Sequence, residues 1–271
     1  MDNPVTVVGL DFDGTIVDTF NPPPGGMGVS EAYKQTIQDI FGDGALDKLG
    51  GFRNQAPVEL SKLLRDVLGA ERFASRAQQY HTVHRKALDA VMPEEVGAKI
   101  DWRAESVIAA VAEVIVRRKL ELLFPNIGID LGDGNRWPQL MPGFKRFWVD
   151  LQNRRELLPA ILSSGHDVFI RRVFELHELL PPEIIISDDR MRQNDLCLYK
   201  PNMRLWEMVL SAVRDLGYLP VDSVYAGDSR EHDGGLARNA GIPFVQFAGW
   251  ESVWHGHRGS IDNWEKFPNI P

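Results

Sequence analysis

From residue 142 onward, short apolar runs alternate with segments of helical spacing, an order that few folds accept. The apolar runs are Leu157 to Ser163, Glu183 to Ser187, Val221 to Ala226 and Pro243 to Phe247. Phe144 to Arg154, Val168 to Leu180, Met203 to Leu216 and Leu236 to Ala240 carry the helical pattern between them. Strands joined by helical crossovers lie parallel, with helices on both faces of the sheet. A further run, Val5 to Leu10, stands far upstream, rich in valine and stopped by a polar turn containing glycine. The fold class expected is therefore α/β, with a Rossmann-like parallel sheet core.

Between the first run and this block lie over a hundred residues with no convincing strand. Val29 to Phe41, Pro57 to Leu68, Glu71 to Val91 and Asp101 to Phe124 show helical spacing, with Pro57 suited to a first turn and Asp101 to an N-cap. Asn21 to Gly28 and Gly132 to Pro138 flank them, rich in Pro and Gly, and read as hinges. The simplest arrangement is a core from residues 1–20 and 140–271, with an inserted all-helical domain at 21–139. The stretch from Gly249 to Pro271 holds Trp250, Trp254 and Trp264 without a clear period, and reads as a tail packed on the core.

Composition narrows the function. Hydrophobic residues at 44% and charged residues at 25% exclude disorder, collagen and coiled coil as readings of the whole chain. A net charge of −8 without a basic block argues against nucleic acid as a partner. No segment reaches the roughly 20 apolar residues of a membrane span, and the N-terminus lacks the pattern of an export signal. The single cysteine, Cys197, fits a reducing compartment, so a cytoplasmic location is expected.

Four separated signals fall at strand ends, where open α/β sheets bind ligands. The first is Asp11-Phe12-Asp13-Gly14-Thr15, two acids at a strand exit followed by a glycine for a tight turn. A carboxylate can attack phosphorus, form an acyl phosphate and split a hard displacement into two easier ones. Asp13, if its pKa stands above the roughly 3.9 of a free Asp, can protonate the leaving oxygen and later deprotonate water. The second signal, Ile161-Leu162-Ser163-Ser164-Gly165, offers hydroxyl and backbone N–H donors to phosphate oxygens. The third, Tyr199-Lys200-Pro201-Asn202, places a cation that would neutralise both phosphate and Asp11. In the fourth, Tyr225-Ala226-Gly227-Asp228-Ser229-Arg230-Glu231-His232-Asp233, Asp228 with Asp11 makes the oxygen-rich site that Mg²⁺ prefers.

In this order the four segments resemble the motifs of the haloacid dehalogenase superfamily, and within it the helical-cap, phosphoglycolate phosphatase-like phosphohydrolases. The resemblance covers residues 5–20 and about 140–248. It implies Asp11 as nucleophile and, with the backbone carbonyl of Asp13 and the side chain of Asp228, as a magnesium ligand. It also implies Asp13 as general acid/base, Ser163 as phosphate-binding hydroxyl, Lys200 as neutralising lysine, and Asp233 as a metal ligand, direct or through water. Gly14, Thr15, Ser163, Ser164, Gly165 and Lys200 are the candidate phosphate contacts. The helical insertion is where the family places its cap, which would select a small phosphorylated metabolite. The dehalogenase branch lacks an acid at the position of Asp13, so its presence favours hydrolysis of a phosphate monoester or a phosphomutase. A phosphomutase would use the same residues, and a non-catalytic scaffold would show degraded motifs.

Other features carry less. Arg53, in Gly50 to Gln55, sits where a cap loop would meet substrate, against the reading of a solvated loop arginine. His166 reads as a phosphate contact, a cap or a solvated residue. His255 and His257 lack a third metal ligand and read as surface residues. Arg117-Arg118-Lys119 reads as the wet face of a helix.

Overall fold

In the computed structural model, residues 3–51, 56–92, 100–102, 107–132, 134–193, 198–247 and 260–267 are described. The chain divides into two compact units, Met1–Thr19 with Pro138–Pro271, and Phe20–Trp137. The first unit opens with β1 (Asn3–Leu10) and β2 (Val17–Asp18). The second holds α1 (Val29–Phe41), α2 (Ala45–Lys48), α3 (Pro57–Leu68), α4 (Ala70–Ala90), α5 (Val107–Leu123), β3 (Asp130–Gly132) and β4 (Asn135–Arg136). The chain then returns through β5 (Gln139–Leu140), α6 (Phe144–Gln152), β6 (Leu157–Leu162), α7 (Asp167–Leu176), β7 (Ile184–Ile186) and α8 (Asp188–Gln193). It ends with α9 (Arg204–Asp215), β8 (Tyr218–Gly227), α10 (Asp233–Ala240), β9 (Phe244–Phe247) and β10 (Ser260–Ile261).

Six strands pair in parallel in the order β10-β9-β8-β1-β6-β7, as the alternating pattern requires. β1 is central, and successive strands lie on one side of it until the chain crosses to β8 on the other. That reversal is a topological switch point, and the crevice beyond its strand ends is where such sheets bind ligands. Thr6 to Leu10 pair in unbroken register with Leu157 to Ile161 and with Asp222 to Ala226. Between Val5 and Thr6 the register with β8 shifts, because Val221 is an extra residue on that strand.

The period of the strands sorts the core into two faces. On one, Val5 and Val7 pack with Leu205, Trp206, Val209 and Val213 of α9. Gly9 belongs to this row, and it must be glycine: a Cβ there would lie 2.5 Å from the Trp206 ring and 2.7 Å from that of Tyr225. Gly9→Ala is therefore expected to cost about 1–3 kcal/mol of stability by overpacking, read as a lower urea midpoint. An unchanged midpoint would show that the rings move aside freely. Elsewhere in this unit aromatic rings gather, with Phe12 6.5 Å from Phe174, and Phe144 5.5 Å from Trp264. Trp264 anchors the described part of the tail: it is buried, stacks on Phe147 and Phe247, and its indole donates to the Thr15 carbonyl at 3.0 Å. Trp250, Trp254, His255 and His257 lie outside the described residues.

In the second unit, α1 and α3 have the expected bounds, with Pro57 in the first turn of α3. Two expectations need correction here. The expected absence of strands fails at the β3–β4 pair, whose strands are too short to show a period. Next to it the Trp137 indole donates to the Asn21 carbonyl at 2.8 Å, so the two segments read as hinges are tied to each other. The Arg117 to Lys119 run is also no wet face. Helix α5 packs against α1, α3 and α4, which leaves Arg117 and Lys119 only 2% and 3% exposed. Acids on neighbouring turns and helices make that burial tolerable: Arg117 pairs with Glu113 and Asp89, and Arg118 with Asp39 and Glu121. Lys119 Nζ donates to the Tyr33 hydroxyl at 3.2 Å and lies over its ring. No helix among the described residues is long and apolar enough to cross a membrane.

Candidate active site

Asp11 follows β1 directly, and its backbone N–H donates to the Ala226 carbonyl of β8 at 2.8 Å. The same register sets Ser163 just past the end of β6 and Asp228 just past the end of β8. Three chemical segments thus leave three adjacent strands at one level, in the crevice of the switch point.

Asp11 is buried. Its Oδ1 accepts from Lys200 Nζ at 2.5 Å and its Oδ2 from the Thr15 hydroxyl at 3.2 Å. Lys200 Nζ also donates to Asp233 Oδ1 at 2.7 Å and to the Tyr225 hydroxyl at 3.1 Å. Asp233, in the first turn of α10, uses its Oδ2 to accept from Ser229 N–H at 3.0 Å. Gly227 makes that approach possible, since a Cβ there would collide with the Asp233 carboxyl. Carboxylate oxygens of Asp11, Asp228 and Asp233 all lie within 4.8 Å of one another.

Asp13 accepts from the Thr19 hydroxyl at 2.6 Å. Gly165 separates it from Ser163: a Cβ on Gly165 would stand 3.3 Å from Asp13 Oδ2 and 3.2 Å from Ser163 Oγ. Ser163 is buried and accepts from the Gly165 N–H at 2.9 Å, a bond that leaves its own O–H proton to be donated. Ser164 is exposed, while Thr15 is fully buried with its hydroxyl on Asp11. Gly14 takes φ +78° and bends the chain so that its N–H donates to the Val17 carbonyl, a conformation suited to glycine. Arg53 lies outside the described residues. His166 is buried at the start of α7, so neither the solvated reading nor side-chain capping holds for it. Tyr225 and Thr19 were not expected. A strand tyrosine and a loop threonine carry no local signal, although a period-2 reading of β8 puts Tyr225 on the same face as the end of the α9 cluster.

The electrostatics are unbalanced. Burial pulls the Lys200 ammonium down, but Asp11 and Asp233 outweigh it and hold its pKa above the ordinary lysine value. Burial pushes the Asp11 carboxyl well up against the pull of Lys200, and Asp233 and Asp228 push it further. Three carboxyl groups stand against one ammonium, so ionising all of them would leave two charges in excess, which a divalent cation would offset. An all-oxygen donor set of this kind suits Mg²⁺.

Burial likewise pushes the Asp228 carboxyl up to about 6, with Asp233 adding to the rise and Lys200 opposing it. In metal-free protein the contribution of this raised acid is full below its unfolded value of 3.8 and is lost as pH rises through about 6. A cation must displace that proton. The gain in unfolding temperature on adding Mg²⁺ should accordingly be small at about pH 5 and grow through about pH 7. A gain that is flat over that interval would remove Asp228 from the ligand set.

Comparison with solved structures places this architecture. CbbY from Rhodobacter sphaeroides, solved in complex with phosphate, is 16% identical over 97% of this chain and 96% of its own, with a TM-score of 0.50. The β-phosphoglucomutase from Clostridium difficile is 11% identical over 91% and 86%, with a TM-score of 0.49. The 2-haloacid dehalogenase from Pseudomonas syringae pv. tomato DC3000 is 16% identical over 96% and 95%, with a TM-score of 0.48. No family model matches the chain, and no curated protein is similar to it in sequence. At such identities the likeness is one of architecture: the chain has the fold of the haloacid dehalogenase superfamily.

Proposed function

We propose that the chain is a Mg²⁺-dependent phosphohydrolase of the haloacid dehalogenase superfamily, acting on a small phosphate monoester through an aspartyl-phosphate on Asp11. The observation that carries this reading is the placement of Asp11: buried at the switch point, bonded to Lys200 and grouped with Asp228 and Asp233. Asp11, Asp228 and the Asp13 carbonyl would hold Mg²⁺, with Asp233 beside them, and the ion would neutralise the excess charge and polarise a phosphate oxygen.

The remaining work falls to the chain's own groups. Asp11 attacks phosphorus in line, forming its P–O bond as the bond to the leaving oxygen breaks. Asp13, held by Thr19, gives that oxygen a proton. Water then attacks the phosphorus of the aspartyl-phosphate while Asp13 takes back a proton, and the bond to Asp11 breaks. Ser163 and Lys200 hold the transferring oxygens as charge develops on them. The helical unit is assigned the role of a cap that selects the substrate. A small phosphorylated substrate is in keeping with CbbY, which has been solved with xylulose-1,5-bisphosphate.

Release of inorganic phosphate from a panel of phosphorylated metabolites in Mg²⁺ tests the reading. An isomerised sugar phosphate with no phosphate released would point to a phosphomutase instead, and no reaction on any member would point to a scaffold. Asp13→Asn sharpens the test. Turnover of an alkyl phosphate is expected to fall by about 10²–10⁴-fold. An aryl phosphate, whose leaving group needs no proton, should give a burst of phenolate close to one per chain and then stall. Equal losses on both substrates without a burst would take the acid/base role from Asp13.

A further inference from the structure

His166 is 1% exposed, and neither ring nitrogen has a hydrogen-bond partner among the described residues. Leaving an imidazole buried in this state is costly. Two carboxylates converge on it: Asp188 Oδ2 and Asp189 Oδ1 each lie 3.6 Å from His166 Nδ1. That is longer than the 2.7–3.2 Å of an N–H···O hydrogen bond. It is close to the separation of two ligand atoms on one metal, since donors about 2.1 Å from a tetrahedral Zn²⁺ stand roughly 3.4 Å apart. One donor atom from each of the three residues lies within 4.8 Å of the others.

The carboxylates are held by their opposite oxygens, as metal ligands commonly are. Asp188 Oδ1 accepts from the Tyr199 hydroxyl at 2.8 Å. Asp189 Oδ2 accepts from Asp167 N–H at 2.9 Å and lies 3.4 Å from the Ser187 hydroxyl. Asp188 N–H donates to the Gly165 carbonyl at 2.9 Å, which fixes the end of β7 against the turn that carries His166.

We propose that His166, Asp188 and Asp189 form a second metal site, separate from the Asp11, Asp228 and Asp233 cluster and suited to a borderline transition metal such as Zn²⁺ rather than Mg²⁺. The imidazole decides the class of metal: Mg²⁺ favours oxygen donors, whereas one nitrogen with two carboxylates is an ordinary Zn²⁺ set. Coordination gives Nδ1 the partner it lacks and fixes the ring proton on Nε2. Its effect is structural. The ion joins the turn after β6 to the end of β7 and, through Tyr199, to the segment carrying Lys200. This proposal stands on groups that the phosphohydrolase reading leaves unused.

Binding is the readout, with the first cluster disabled in the full chain by Asp11→Asn together with Asp228→Asn. Equilibrium dialysis against Zn²⁺ in excess Mg²⁺ should find about one Zn²⁺ per chain, with a raised unfolding temperature. Adding His166→Gln or Asp189→Asn should weaken that binding by at least about 100-fold. Absence of stoichiometric Zn²⁺, or equal binding in both variants, overturns the proposal. If both variants fail to fold, the ring resonances of His166 decide in the parent chain: they should shift on adding Zn²⁺, and unchanged resonances overturn the site.

Discussion

Asp11→Asn should lower Mg²⁺-dependent phosphate release by at least about 10⁴-fold while leaving the metal-free protein as stable as the parent or more so. The two halves of this expectation have separate causes. An amide oxygen is a poor nucleophile and its adduct has no path onward, so chemistry stops. Stability holds because the parent carboxylate is raised by burial and by Asp233 and Asp228, so removing its charge relieves repulsion. Asn keeps one oxygen to accept from Lys200, and its NH2, in place of the second oxygen, can donate to the Thr15 hydroxyl oxygen. Phosphate release and thermal unfolding measured on the same preparation separate the effects. Activity within about tenfold of the parent would remove Asp11 as nucleophile, and a collapse of the fold would mean that its charge is structural.

Lys200→Met should have the opposite balance, with a large loss of stability accompanying the loss of activity. The ammonium is shared by Asp11 and Asp233, and removing one partner from a buried ion pair typically costs about 3–5 kcal/mol. Methionine refills the volume but not the charge, so the loss reports electrostatics. Two treatments should restore stability in metal-free variant protein: adding Mg²⁺, and lowering the pH until the crowded carboxyls protonate. Turnover should fall by about 10²–10³-fold even in saturating Mg²⁺, the usual effect of removing one group that stabilises charge on a transferring phosphoryl group. A variant as stable as the parent and indifferent to Mg²⁺ would mean that Asp11 and Asp233 do not carry the charges assigned to them.

Much of this frame was legible because it rests on local patterns. β1, β6 and β9 are short apolar runs ended by polar turns, and each appears within two residues of its expected bounds. β8 begins at Tyr218, three residues before the expected Val221, because Pro220, Asp222 and Ser223 hide the pattern of a strand that pairs early with β1. β2 and β5 are two residues each, too short for any period. α10 starts at Asp233 rather than Leu236, since Gly234 and Gly235 lower the helical signal. Gly235 is there for a reason only the fold reveals: a Cβ would lie 2.8 Å from Pro201. In the candidate site, Asp11, Asp13, Ser163, Lys200, Asp228 and Asp233 could be marked by residue type and place in the chain. Tyr225 and Thr19 could not, because their contacts join residues that are distant or in unpatterned loops. The burial of Arg117 and Lys119 was hidden for the same reason, as no charge pattern along α5 announces which helices will surround it.

The register shift at Val221 has a bearing on how such a site tolerates change. A β-strand is a ruler with two-residue divisions, and an error of one residue would turn every later side chain to the opposite face. In β8 the extra residue falls near the entry, and the pairing from Asp222 to Ala226 then runs true to Asp228. The bulge is thus an expansion joint. Changes in the length or packing of the turn after α9 can be absorbed there, at the far end of the strand, before they reach the carboxylates. The mouth of the sheet keeps one register, while the pairs at its base, Asn3 to Val5 with Tyr218 to Pro220, hold another.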